Sequence, residues 1–122
     1  MLLHLDYTAD TPIYLQIRNQ IVCGIASGAL SPGEQLPPIR TLAEDCGVNM
    51  MTVSKAYSLL KQQGYLHTDR RAGTVVCPGK TGALPEPVRA ALLLAAAEAK
   101  ANGADLETVL TLCRSVYEKE DA

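Results

Sequence analysis

At 122 residues and a formal charge of −2, the chain can hold one core plus an appendage and is too short for a large two-domain enzyme. Hydrophobic residues make up 48% of it although Phe and Trp are absent, so the core must come from Leu, Ile, Val, Ala and Tyr, which leans towards a mainly α fold. No stretch approaches the roughly 20 apolar residues of a membrane span, and the opening MLLHLDYTAD carries acids where a signal peptide carries bases, so a cytoplasmic protein is expected.

In chain order, the first helix is expected from Thr11-Pro12, with the Thr hydroxyl as N-cap and proline at the first helical position. Ile13, Ile17, Ile21 and Ile25 repeat every four residues along it, with Tyr14 and Val22 widening the stripe, and Gly28 supplies the stop. Ser31-Pro32-Gly33-Glu34 reads as a turn, and Leu36-Pro37-Pro38 must be extended, because each proline pushes its predecessor out of the α region. A short second helix follows from about Pro38 to Cys46, with Ile39, Leu42 and Ala43 inward and Gly47 ending it.

Asn49 is a good N-cap for a third helix from about Met50 to Gln63, closed by Gly64. Two helices joined by so short a glycine turn form a helix-turn-helix. In the third helix Val53, Ala56, Tyr57 and Leu60 share the core face and leave Met51, Ser54, Lys55 and Ser58 outward. Small polar groups, one cation and a methionine suit a DNA groove better than a core.

Tyr65 to Thr68 and Thr74 to Val76 are β-prone runs flanking Asp69-Arg70-Arg71-Ala72-Gly73, a hairpin with a basic tip. Lys80 to Ala83 reads as a linker. Two amphipathic helices then run from about Glu86 to Ala101 and from Leu106 to Lys119, split by Asn102-Gly103, with Asp105 capping the last. The expected organisation is a winged helix-turn-helix over residues 1–79 and a two-helix tail over 80–122.

Charge is distributed unevenly. Between Met50 and Arg71 the bases Lys55, Lys61, Arg70 and Arg71 face Asp69 alone, whereas the tail is acidic on balance. The basic character therefore lies where a DNA-reading surface would need it. Cys23, Cys46, Cys77 and Cys113 form no C-x-x-C pair and are expected as buried structural thiols. His4 and His67 suggest no metal site, and no nucleophile with a base, carboxylate pair or phosphate-binding glycine loop appears, so neither catalysis nor a cofactor is expected.

The run GALSPGEQLPPIRTLA from Gly28 to Ala43, followed by Gly47-Val48-Asn49 and by TVSKAY from Thr52 to Tyr57, resembles the GntR family of bacterial regulators. The resemblance covers roughly Thr11 to Val76. It implies a winged helix-turn-helix that binds double-stranded DNA, with Arg40 on the phosphate backbone or a base. Asn49, Met50, Met51, Thr52 and Ser54 would then lie at the major groove, with Lys55 near a phosphate and Arg70, Arg71 and Gly73 at the wing tip.

Met50-Met51 stand where the broader family commonly has an arginine after the helix cap, or its short-tailed subfamily a Pro-Asn pair, so base reading there is not a bidentate guanine contact and a thymine methyl is the natural partner. Arg71 stands where a glycine is usual in the wing, which adds a cation, and Pro38 replaces a capping serine.

The short tail resembles the YtrA-like subfamily, whose members are often encoded beside ABC transporter genes; it implies dimerisation and leaves little volume for a metabolite pocket, so any small-molecule effector stays unassigned. In the final helix Leu106, Val109, Leu110, Cys113, Val116 and Tyr117 mark one face, and Val88, Leu92, Ala95, Ala96 and Ala99 mark a stripe of the helix before it. A second copy of the tail would cover both.

The expected function is a homodimeric repressor on an inverted-repeat operator. Two alternatives stay open: a winged helix used for protein contact, and a thiol or metal sensor in which Cys23 and Cys46 approach each other within one domain.

Overall fold

The computed structural model describes residues 1, 3–78 and 82–118. The chain divides into two compact units, Met1–Gly79 and Lys80–Ala122. The first contains α1 (Ile13–Ser27), α2 (Ile39–Cys46), α3 (Met50–Gln62), β1 (Leu66–Asp69) and β2 (Gly73–Val76), and the second contains α4 (Glu86–Ala101) and α5 (Leu106–Glu118). The fold is mainly α, a winged helix-turn-helix with a helical tail. The expected linker residues Lys80 and Thr81, and Lys119 at the expected end of α5, lie outside the described residues. No helix among the described residues is long and apolar enough to cross a membrane.

The core of the first unit follows from helical periodicity. Ile17 and Ile21 of α1, Leu42 and Ala43 of α2, and Val53, Ala56, Tyr57 and Leu60 of α3 are all buried, and the α3 set has the i, i+3, i+4, i+7 spacing that places four side chains on one face. Leu30, Leu36, Leu66 and Val76 close the cluster from the loops and the hairpin. Tyr57 resolves its one polar atom by donating its hydroxyl to the Pro37 carbonyl at 2.8 Å, so a buried phenol becomes a strut beneath the proline turn. Burial, and then the nearby Cys46, raise its ionisation far above the ordinary tyrosine range.

β1 and β2 pair antiparallel from Leu66 with Val76 to Asp69 with Gly73. The segment before α2 adds a short third edge: Leu36 N–H donates to Thr74 O at 2.8 Å, Gly33 N–H to Val76 O at 2.8 Å, and Val76 N–H to Glu34 O at 2.9 Å. The expected turn at Ser31–Glu34 thus also pairs with the wing.

An N-terminal strap has no counterpart in the sequence-based expectations. Gln20 accepts from His4 N–H at 2.8 Å and donates to His4 O at 2.6 Å. Gln16 does the same with Asp6 N–H and Asp6 O, both at 2.8 Å. Two residues along an extended chain span about 6.6 Å and four along a helix about 6 Å, so two glutamines one turn apart imitate a β-ladder and zip the strap onto α1. Tyr7 completes it by donating to Cys46 O at 2.7 Å.

Two expectations need correction. α1 begins at Ile13 with Pro12 as its N-cap, and no side chain caps it; Pro12 has ψ 148°, outside the helical range, and the Thr11 carbonyl instead accepts from Gln16 Nε2 at 2.9 Å. The four cysteines are not buried: Cys23 and Cys113 are exposed, and Cys46 and Cys77 are half-buried. Cys23 lies two residues beyond Ile21, about 200° round the helix from the core face, and the described tail has no buried residue at all. Burial, followed by the charge of Asp45, pushes the Cys46 thiol above its ordinary ionisation range.

Candidate nucleic-acid interface

The surface that the sequence assigns to DNA is built by the turn between α2 and α3. Gly47, at φ 67°, takes the left-handed conformation that lets α2 stop and the chain reverse within three residues. Val48 N–H donates to Ala43 O at 3.0 Å, closing the last turn of α2. Asn49 then accepts from Met51 N–H at 2.7 Å through its side chain, fixing the first turn of α3. Asn49 is thus a structural cap as well as a residue at the expected groove.

With α3 held by its buried face, Met51 is 76% exposed and Met50 45% exposed. Met51, Thr52, Ser54 and Lys55 line an open groove of about 660 Å³ whose other wall is Pro12, Ile13 and Tyr14 of the α1 start. That wall was not singled out in the sequence, where Ile13 and Tyr14 read as part of an ordinary core stripe. The Lys55 ammonium lies 4.0 Å from the centre of the Tyr14 ring, a cation–π contact. At the other end of α3 the contact repeats: Arg18 of α1 donates to Gln63 Oε1 at 3.0 Å and lies over the Tyr65 ring.

Arg40 is exposed at the second residue of α2, and Arg70 and Arg71 are exposed at the hairpin tip. None of the three lines the α1–α3 groove. Asp69 Oδ1 accepts from Arg71 N–H at 2.8 Å and Ala72 N–H at 3.0 Å. Those two bonds, Ala72 first, hold the Asp69 carboxyl below its ordinary range, and His67 lowers it further. Gly73 carries the positive φ of the tip at 80°, and among the described residues no non-glycine has a positive φ. Arg71 therefore replaces a usual glycine without strain, because the turn places its left-handed residue at Gly73.

Among the described residues the ion pairs are Arg89 with Glu86 and Arg114 with Glu118, both in the tail. Arg40, Lys55, Arg70 and Arg71 thus meet no carboxylate there, and their charge is available to an outside anion.

In the tail, Asp105 Oδ1 accepts from Thr108 N–H at 2.9 Å and from its hydroxyl at 2.7 Å, so the expected cap of α5 forms. Of the stripe residues, Val88, Ala99 and Val109 are half-buried, while Leu92, Ala95, Ala96, Leu106, Leu110, Cys113, Val116 and Tyr117 are exposed. Leu93, Leu94 and Leu112 are exposed beside them, which widens the apolar surface beyond the sequence-based stripe.

The sequence profile of bacterial regulatory proteins, gntR family, matches residues 13–76. The chain is 39% identical over 74 residues to the HTH-type transcriptional regulator Rv1152 of Mycobacterium tuberculosis, a match covering 61% of each. It is also 39% identical over 75 residues to the HTH-type transcriptional repressor YtrA of Bacillus subtilis, covering 62% of this chain and 58% of that one. The chain thus spans about 60% of the length of these curated relatives.

Among solved structures, a transcriptional antiterminator from Listeria monocytogenes EGD-e matches with a TM-score of 0.82 at 27% identity, over 100% of this chain and 97% of that one. YtrA from Sulfolobus acidocaldarius, a GntR-family transcription factor, matches with a TM-score of 0.67 at 38% identity, over 80% and 99%. The DNA-binding domain of AraR in complex with operator ORX1 matches with a TM-score of 0.53 at 28% identity, over 62% and 93%. With the profile covering the whole helix-turn-helix and wing, and two of these relatives named YtrA, the chain belongs to the gntR family of bacterial regulatory proteins as a YtrA-like member.

Proposed function

We propose that this protein is a sequence-specific repressor of transcription that binds an inverted-repeat operator as a homodimer. In this reading α3 enters the major groove, the wing tip lies on the backbone or in the minor groove, and α4 and α5 join two copies around a two-fold axis. The observation that carries it is the group of exposed cations, Arg40 in α2, Lys55 in α3, and Arg70 and Arg71 at the hairpin tip, free of carboxylate partners among the described residues. The operator complex of the similar AraR domain supports DNA as the partner. The name of the B. subtilis relative supports repression, and the YtrA-like resemblance directs the search for target genes to transporter operons.

The exposed methionines support a base preference. A thioether offers no hydrogen bond of the kind that reads guanine, but it makes good apolar contact with a thymine methyl. Met51 should therefore face a T·A pair in each half-site.

Fluorescence anisotropy against salt, on duplexes selected from a random pool, tests the reading. A dimer presenting the four cations twice neutralises on the order of six to eight phosphates, giving a log–log slope of about −5 to −7. A slope near zero removes DNA as the partner. Arg40→Ala should weaken operator binding by about 1 to 3 kcal/mol with an unchanged melting temperature, since an exposed helix-start arginine supports no core.

A further inference from the structure

We infer that Tyr14, at the start of α1, is a positioning residue for DNA binding: its ring holds the Lys55 ammonium at the α1–α3 groove, where a backbone phosphate lies. The inference rests on the DNA-binding reading above and extends the contact surface to a helix outside the helix-turn-helix.

A lone exposed lysine is poorly ordered for phosphate binding. Its ammonium is a compact, strongly hydrated charge on a flexible four-carbon stem, so an exposed lysine loses rotamer freedom when it settles on a phosphate. A carboxylate partner would hold the stem but cancel the charge. An aromatic face holds it and leaves the charge in place. Lys55 has the second arrangement, at 4.0 Å from the Tyr14 ring centre, with no carboxylate paired to it among the described residues. The ring touches one side of the ammonium, and an oxygen acceptor can take the N–H donors on the other.

The surroundings suit a sugar–phosphate strand. Pro12, Ile13 and Met51 give the groove apolar walls, and Thr52 and Ser54 bring hydroxyls to the same lining as Lys55. Tyr14 is itself fixed, half-buried against the core cluster, on a helix tied to the far end of α3 through Arg18 and Gln63. The ring is therefore a rigid shelf for a mobile cation, and the contact is pre-formed before DNA arrives.

Binding of the full-length chain to a selected duplex and to a random-sequence duplex, measured for Tyr14→Phe, Tyr14→Leu, Lys55→Gln and the Tyr14→Leu/Lys55→Gln double variant, tests this directly. Lys55→Gln should reduce the salt slope by about 2 for a dimer that uses the contact twice. Tyr14→Leu keeps apolar bulk without the π face; it should leave the slope unchanged and weaken both duplexes about 5- to 30-fold. Tyr14→Phe, which keeps the face, should bind like the unmodified protein. In the Lys55→Gln background Tyr14→Leu should have no further effect, a coupling that a merely structural tyrosine would not show. Additive losses in the double variant, or a Tyr14→Phe variant as weak as Tyr14→Leu, would overturn the inference while leaving DNA binding intact. Absence of salt-dependent binding by the unmodified chain would instead remove the DNA reading, and this inference with it.

Discussion

Ile17 and Ile21 in the middle of α1 have no exposed surface, whereas Leu93 and Leu94 in the middle of α4 are 57% and 62% exposed. The two helices are nearly equal in length, at 15 and 16 residues, and both are rich in aliphatic side chains. The difference is in what surrounds them. α1 packs against α3 and is strapped by the N-terminal segment, while α4 has α5 beside it and neither contains a buried residue. An apolar helix face is worth little until something covers it. The first unit is thus complete as a packed core, and the tail carries apolar surface in search of a cover, which in the proposed dimer is the tail of a second copy.

Alanine substitution on each side of that contrast gives the largest expected effect. Ile21→Ala should cost about 2 to 5 kcal/mol of unfolding free energy, because a fully buried side chain loses both its transfer energy and its packing. Leu112→Ala, at a 66% exposed position, should change the stability of the isolated chain by no more than about 0.5 kcal/mol. Urea denaturation at low protein concentration compares them. A large loss at Leu112 under conditions where sedimentation shows a monomer would mean that the tail is covered from within its own chain.

Truncation after Gly79 comes next. The shortened chain should remain folded and monomeric, since its buried cluster draws on residues of Met1–Gly79 only, and should bind a single half-site. Loss of the linked second contact should weaken operator affinity by about 10²-fold or more. Sedimentation of both chains at micromolar concentration sharpens the contrast. A truncated chain that stays dimeric, or a full-length chain that is monomeric, removes the tail as the dimerisation element.

Much of the first unit was legible in the sequence because its signals are local. Asn49 announces a helix start by itself, Gly47 and Gly73 announce left-handed turns, and the spacing of Val53, Ala56, Tyr57 and Leu60 defines a face without knowledge of what lies opposite. What escaped depends on contacts distant in sequence. Tyr14 meets Lys55 and Gln20 meets His4 only after the chain has folded, and neither pairing leaves a periodic trace. Thr11 misled for another reason: a threonine before proline satisfies the composition of a cap, but Pro12 takes an extended ψ and becomes the boundary itself. The cysteines misled because their type is usually buried, whereas position around the helix leaves Cys23 and Cys113 exposed.

A smaller effect is expected at Asn49. Asn49→Ala should cost about 1 kcal/mol, by removing the acceptor for Met51 N–H. Because that turn also aims Met50 and Met51, the loss of operator affinity should exceed the loss of affinity for random DNA. Equal losses would show that the cap stabilises α3 without aiming its first turn at bases.

The smallest effect is common to both units and shows where their difference ends. Asp69 at the wing tip and Asp105 before α5 each use one carboxylate oxygen to hold a turn, Asp69 through the Ala72 and Arg71 amides and Asp105 through the Thr108 hydroxyl and amide. Both carboxyls are held below their ordinary value of 3.8 by those bonds. A group whose ionisation is depressed by folding stabilises the structure fully above its ordinary value and loses that contribution as the pH falls through the depressed one. Between pH 5 and 8 both carboxylates stay ionised, so neither turn should lose its cap. Below about 4 the amides of Arg71, Ala72 and Thr108 should shift together in NMR spectra, in the tail as in the wing, because a local cap is indifferent to what covers the helix behind it. If the Thr108 amide moves at a pH where Arg71 and Ala72 stay fixed, the cap of α5 is coupled to assembly of the tail, and the contrast between the units reaches down to their individual turns.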